Sequence, residues 1–453
     1  MSRRTTVESQ KGVLDQWDRE HSWHPFAQMS EYCALPQVQV ERAQGCWLWD
    51  VEGRRYLDGN ASIWTNVHGH NDPDLNAALL EQASKVAHST YLGLSHPAGA
   101  ELGRRLVELS PPGLQRVMFS DNGSNAIEIA LKQSFQFWQL QGESDRVLAV
   151  GMEDAYHGDT FGTMAVGDSP GFHGRFSRWC FESRVFERPR DESVAEARRS
   201  LRSLEAVLEA EQGKVACVVL EPWVQGAAGM RLQARGFVKS LEALCRRFGA
   251  HLILDEVFVG FGRMGNFFVC RQEGVEPDFL CLAKGLSAGY LPLAATLTRV
   301  EIYEAFLGTM DSGRAFIHGH TFTGNPLAAA VALASIQKLE RLIESGELEQ
   351  WIASFGRQVR EAFEGHANVS ELRVRGMAAA VDLCPAEGES EWSVNDRVGM
   401  QVCVAARSEG VLLRPLRDSL LIVPPLVISE EEIAFLIRGI LSAIDRVIKE
   451  RIR

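Results

Sequence analysis

One stretch limits what this chain can fold into: AHLILDEVFVGFGRMGNFFVCRQEGVEPDFLCLAKGLSAGYLPLAA, residues 250–295. It holds two apolar runs of strand length, Leu252 to Leu254 and Phe279 to Leu282, set among glycines and prolines. Asp255 and Glu256 follow the first run, and Lys284 follows the second. Short apolar runs bounded in this way read as buried parallel strands. In open α/β sheets, ligands sit beyond the carboxyl ends of the strands. A carboxylate leaving one strand end and an amine leaving another therefore face one crevice. Gly285 and Gly289 are expected to leave room there for a planar ligand close to the backbone.

The neighbouring segments repeat the pattern. Gln115–Ser120, Arg146–Val150 and Val215–Leu220 read as strands, and Ser124–Gln139, Leu201–Ala210 and Gly236–Phe248 as helices. This alternation, from Gly93 to about Leu327, is the βαβ signature of a mostly parallel sheet. Residues 169–193 are irregular and charged and read as a surface excursion. Asp72 and Pro73 start one further helix, and Asn325 or Thr323 caps an alanine-rich one. Toward the N-terminus, Gly45 and Gly53 bracket a hairpin. Toward the C-terminus, VRGMAAAVDL reads as a strand, 397–408 as a helix, and 411–426 as two strands around a turn, before a closing helix from Ser429. The expected division is 1–92 for the N-terminal part of a small α+β lobe with an active-site loop, 93–330 for the large domain, and 331–453 for a connecting helix and the rest of the small lobe.

Bulk properties exclude several classes. A net charge of −12 and a pI near 5.6 leave no nucleic-acid footprint. No segment approaches the roughly 18 consecutive apolar residues of a membrane span, and the first twenty residues lack a secretory apolar core. Nine cysteines without C-x-x-C spacing fit free thiols in a reducing cytoplasm. His318 and His320 lack the carboxylate spacing of a metal site and read as structural imidazoles.

The runs LILDEVFVGFGRMG, LAKGLSAGYLPLAA and HGHTFTGNPLAAA resemble the class III aminotransferases, pyridoxal-phosphate enzymes of fold type I. The resemblance extends from about Trp23 to the C-terminal segment. It implies that Lys284 binds pyridoxal phosphate covalently and that Asp255 keeps the pyridine nitrogen protonated, making the ring an electron sink. Burial would lower the lysine pKa and free its amine to carry a proton. Gly123 and Ser124 open a helix whose N–H groups and dipole favour a phosphate, although a plain structural cap fits them too. Tyr156 would stack on the ring, or be a buried aromatic with a satisfied hydroxyl. Glu221 matches a family position near the ring hydroxyl. The Gly319–His320–Thr321 step reaches the cofactor phosphate of a second subunit in that family, which implies a homodimer.

Within the family, WHPFAQM (23–29), YHGDTFG (156–162) and LLRPLRD (412–418) are closest to the branch acting in biotin synthesis. That likeness implies ping-pong transamination of 8-amino-7-oxononanoate. Arg414 would grip the acceptor's carboxylate by a two-pronged contact, and Asp159 would orient groups beside Tyr156. The amino donor stays open between S-adenosylmethionine and lysine. Users of the former resemble WHPY, with two adjacent tryptophans where this chain has Ile63 and Trp64; here Phe26 replaces the tyrosine. A broader ω-aminotransferase using pyruvate or another small keto acid is the alternative.

Overall fold

In this computed structural model residues 2–386, 388 and 390–452 are described; positions 387 and 389, within the polar gap before the 397–408 segment, lie outside them. A helix at Ser2–His21 precedes an antiparallel meander of β1 (Val40–Gln44), β2 (Trp47–Asp50) and β3 (Arg55–Asp58). The large sheet uses β4 (Leu114–Ser120), β5 (Leu148–Met152), β6 (Ser183–Phe186) and β7 (Val215–Leu220). After a short ribbon of β8 (Val224–Gln225) and β9 (Arg231–Leu232), it adds β10 (His251–Asp255), β11 (Phe279–Leu282) and β12 (Ala294–Arg299). Their order is β4-β12-β11-β10-β7-β5-β6. β12 runs antiparallel to both its neighbours, and the other strands share one direction.

The parallel strands are apolar because helices cover both faces. Every residue of β7 (VACVVL) and β11 (FLCL) is buried. Helix starts follow their caps: Asp72 accepts the N–H groups of Asp74 and Leu75 at the head of Pro73–Lys85, and Asn325 those of Leu327 and Ala328 ahead of Pro326–Glu344. Close backbone contact also constrains the sheet. A Cβ on Gly151 in β5 would lie 1.9 Å from the Val166 carbonyl oxygen. Gly151→Ala is therefore expected to destabilise the protein by about 3 kcal/mol, read as a lowered urea midpoint.

Several expectations change. Residues 169–193 contain the helix Pro170–His173, the 3₁₀ turn Gly174–Trp179 and the edge strand β6, whose half-exposed, polar residues hid it. The strand expected at 146–150 runs two residues later, because the Arg146 side chain is engaged by Glu143 and the Val215 carbonyl. After Lys284 the sequence reading has no further strand before the Asn325 cap, yet β12 lies there, its AATLTR sequence too weakly apolar to stand out.

The last third carries β13 (Val369–Val374), β14 (Ala379–Leu383), β15 (Val411–Leu412), β16 (Arg414–Leu416) and β17 (Ser419–Ile422). VRGMAAAVDL, expected as one strand, spans the turn between β13 and β14, where Gly376 has φ +59°. The two strands expected over 411–426 are three. β15 leaves the β13-β14-β17-β16 sheet to pair in parallel with β3, Val411 opposite Leu57. Segments near both chain ends thus share one small sheet, separate from the seven-stranded one.

Candidate active site at the strand ends

Gly123 and Ser124 follow β4, residues 156–159 follow β5, Glu221 follows β7, Asp255 ends β10 and Lys284 lies just past β11. Parallel strands of common direction bring all of them to one edge of the sheet. Lys284 is partly buried and takes up a left-handed φ of 45°. Its Nζ lies 4.7 Å from the ring centre of Trp64 and 5.9 Å from that of Phe258. Burial among these rings lowers its pKa, while the nearby Asp255 and Glu221 charges oppose the shift. A lysine so placed can hold a neutral, nucleophilic amine.

Asp255 is fixed from two sides. Its Oδ1 accepts the Val257 N–H at 3.1 Å, and its Oδ2 lies 2.7 Å from His157 Nδ1. Burial works against a charged His157, but the Asp255 hydrogen bond and charge outweigh it and raise the imidazole pKa. His157 escaped the sequence reading even though it sits inside YHGDTFG; its partner is 98 positions away. Glu221 is no solvated strand end. It is buried, its two oxygens accept the N–H groups of Tyr156 (3.1 Å) and Gly226 (3.0 Å), and burial pushes its pKa up to about 7.

At the head of the helix Gly123–Leu140, Asn122 accepts the Asn125 N–H at 3.0 Å. The first N–H groups of a helix have no partner within it. Ser124 Oγ lies 2.7 Å from Thr160 Oγ1 and 3.0 Å from Thr163 Oγ1, two hydroxyls the sequence did not single out. Gly285 and Gly289 serve packing rather than ligand room: Cβ atoms there would meet Phe261 at 2.9 Å and Asn66 at 2.5 Å.

Trp64 reaches Lys284 by an uncommon route. Ala61, Ser62, Ile63 and Trp64 have φ of 41°, 47°, 67° and 70°, a single left-handed turn. Such backbone costs about 1–2 kcal/mol per residue. Hydrogen bonds offset it: Trp64 Nε1 donates to Asn60 Oδ1, and Ser62 Oγ to Asp58 Oδ2, both at 2.9 Å. The result exposes Ile63 at the mouth and lays the indole over the lysine.

The outer wall is aromatic. Tyr156 Oη donates to Asp159 Oδ2 at 2.8 Å. Phe172 meets the edges of Tyr156 (5.9 Å) and Phe26 (5.7 Å), and the Arg414 guanidinium lies 6.0 Å from the Phe26 ring. Phe172 belongs to the stretch read as a surface excursion. The loop bearing Gly319, His320 and Thr321 stands apart from Lys284 in its contacts. Gly319 lies against Leu92, His320 Nδ1 is 3.1 Å from Asp121, and Thr321 is exposed.

Comparison with known proteins decides the family. The Aminotransferase class-III family model matches residues 29–444. The chain is a class III aminotransferase. It is 44% identical to adenosylmethionine-8-amino-7-oxononanoate aminotransferase of Geobacter sulfurreducens, covering 96% of this chain and 98% of that one. The crystal structure of adenosylmethionine-8-amino-7-oxononanoate aminotransferase from Methanocaldococcus jannaschii superposes with a TM-score of 0.91 at 35% identity, over 96% of this chain and 99% of the other. A PLP-bound amine transaminase from an uncultivated Pseudomonas species has a TM-score of 0.85 at 30% identity, over 94% and 99%.

The cofactor of this class III aminotransferase is pyridoxal phosphate, and the donor set fits it. A lysine of lowered pKa, a buried carboxylate backed by an imidazole, and a helix start lined with hydroxyls lie along one edge. Among the described residues, no helix is long and apolar enough to cross a membrane.

Proposed function

We propose that this enzyme transfers an amino group to 8-amino-7-oxononanoate, giving 7,8-diaminononanoate, with S-adenosylmethionine as donor. The observation that carries the reading is the near-full-length similarity to relatives of that name. The wall of the cleft supports it. From Tyr156 outward run the half-exposed Asp159 carboxylate, the Phe172 and Phe26 rings, and the Arg414 guanidinium. The acceptor has a matching order: an ammonium beside its ketone, an alkyl chain, and a terminal carboxylate.

Pyridoxal phosphate supplies an aldehyde that exchanges amines and a heterocycle that withdraws electrons. Lys284 would hold it covalently, Asp255 would face the ring nitrogen, and Gly123 and Ser124 would take the phosphate. Lys284 Nζ, its pKa lowered by burial, would take a proton from the donor's amine-bearing carbon and pass it to the cofactor carbon that keeps the nitrogen, and would run the same transfer in reverse for the acceptor. His157 keeps Asp255 oriented. Tyr156 walls one side of the ring, with its backbone held by Glu221.

A homodimer completes this reading. Leu92, Ile317 and Phe322, at 67%, 78% and 58% exposure, flank Thr321 and offer an apolar face to a second copy, whose Thr321 would reach the phosphate. The free thiols of all nine cysteines support a cytoplasmic setting. Lysine is the second donor reading, because Phe26 and Ile63 offer neither a phenol nor an indole to a bulky sulfonium donor.

The test is to give the yellow enzyme S-adenosylmethionine, lysine or alanine separately, and then 8-amino-7-oxononanoate. Discharge of the visible absorbance by the first and its recovery with the acceptor are expected; recovery with pyruvate alone would return the broader ω-aminotransferase. Arg414→Ala is expected to raise KM for the acceptor by roughly 10–100-fold with kcat little changed, the size of a lost charge-assisted contact. An unaltered KM would remove Arg414 from the carboxylate site.

A further inference from the structure

We propose that His173 is a positioning residue for amine recognition, holding the Asp159 carboxylate toward the cleft; this rests on the acceptor reading above. His173 Nε2 lies 2.9 Å from Asp159 Oδ1, while Tyr156 Oη donates to the other oxygen, Oδ2, at 2.8 Å. Each carboxylate oxygen thus takes one donor. The remaining lone pairs belong to a side chain 52% exposed, whereas His173 is only 8% exposed. A carboxylate oxygen accepts, so His173 donates from Nε2. Its Nδ1 is buried and has no partner among the described residues. Among the described residues, the one polar group this imidazole ring serves is Asp159.

The backbone is built to keep it there. The Pro170–His173 turn is tied to the loop bearing Tyr156 and Asp159 by Ser169 Oγ (2.8 Å) and the Asp168 N–H (3.0 Å), both on the Ala155 carbonyl. The His173 ring stacks on Tyr156, with centroids 5.6 Å apart and planes 22° apart. Two donors on loops tied to each other therefore hold a carboxylate that is otherwise free to rotate. A fixed anion beside the Tyr156 wall suits the ammonium next to the acceptor's ketone. It should discriminate the amino ketone from a ketone of the same length without the amine.

The experiment compares wild type, His173→Phe and His173→Gln in steady-state kinetics with 8-amino-7-oxononanoate, and in inhibition by 7-oxononanoate, which lacks the amine. His173→Phe keeps the ring stack and deletes the donor; His173→Gln restores an N–H. The expected result for the Phe variant is a KM for the amino ketone raised about tenfold, the size of one hydrogen bond to a charged group. The inhibition constant of 7-oxononanoate should stay unchanged and the Gln variant should recover most of the loss. Equal effects on both compounds, or none on either, would overturn the assignment, the first by making the role merely structural. Wild-type turnover of the amino ketone is read in the same assay and tests the underlying reading separately.

Discussion

Lys284→Ala is expected to reduce amine exchange by about 10⁴-fold or more and to yield a colourless protein after gel filtration. The variant loses two functions at once: the covalent tether and the amine that moves the proton. No second lysine replaces it, because what qualifies this side chain is its place. It leaves a parallel strand end, rises beneath Trp64 and Phe258, and has its charged form penalised by burial against the partial offset of Asp255 and Glu221. Lys284→Arg keeps a positive charge but holds its proton far more tightly, so it should be equally inactive. Measured rates and the visible spectrum together check this. Retention of both in the Ala variant would remove Lys284 from the chemistry.

Much of this was legible because the chemistry sits at strand ends, and strand ends are where apolar runs stop. Leu252–Leu254 and Phe279–Leu282 are unbroken and buried, so Asp255 and Lys284 stood out as the charges that follow them. The Ser124 turn and the Asp72 and Asn325 caps were readable for a similar reason: each puts a small polar side chain immediately before an apolar period. What stayed hidden has no period. The left-handed turn at 61–64 is made by non-glycine residues whose conformation is set by Asn60 and Asp58, so ASIW carries no sign of it. β6 and the turn bearing Phe172 and His173 looked like charged surface, since an edge strand buries only part of itself. Gly285 and Gly289 looked like ligand room, when their missing Cβ atoms make space for Phe261 and Asn66. His157 was missed because its importance is a contact with Asp255, and contacts between distant positions are invisible to a local pattern.

That contact makes the second large prediction. Asp255→Asn should lower kcat by about 10³-fold, the scale of losing one preorganised charge opposite a reacting system. The amide nearly matches the carboxylate in shape, so the pocket stays filled and the cofactor should still be retained, a readout that separates it from Lys284→Ala. His157→Phe should cost less, about tenfold, since Asp255 keeps its bond from the Val257 N–H and loses only the imidazole. The decisive measurement is the double variant. If His157 acts through Asp255, the imidazole has nothing left to hold once the carboxylate is an amide, and Asp255→Asn with His157→Phe should be no slower than Asp255→Asn alone. Additive losses would mean that His157 touches the reaction independently. The pH profile supplies a further sign. His157 has a raised pKa, so its supporting charge is complete below the ordinary imidazole range and is lost as pH rises through the raised value. Wild-type kcat should therefore carry an alkaline limb that the His157→Phe variant lacks.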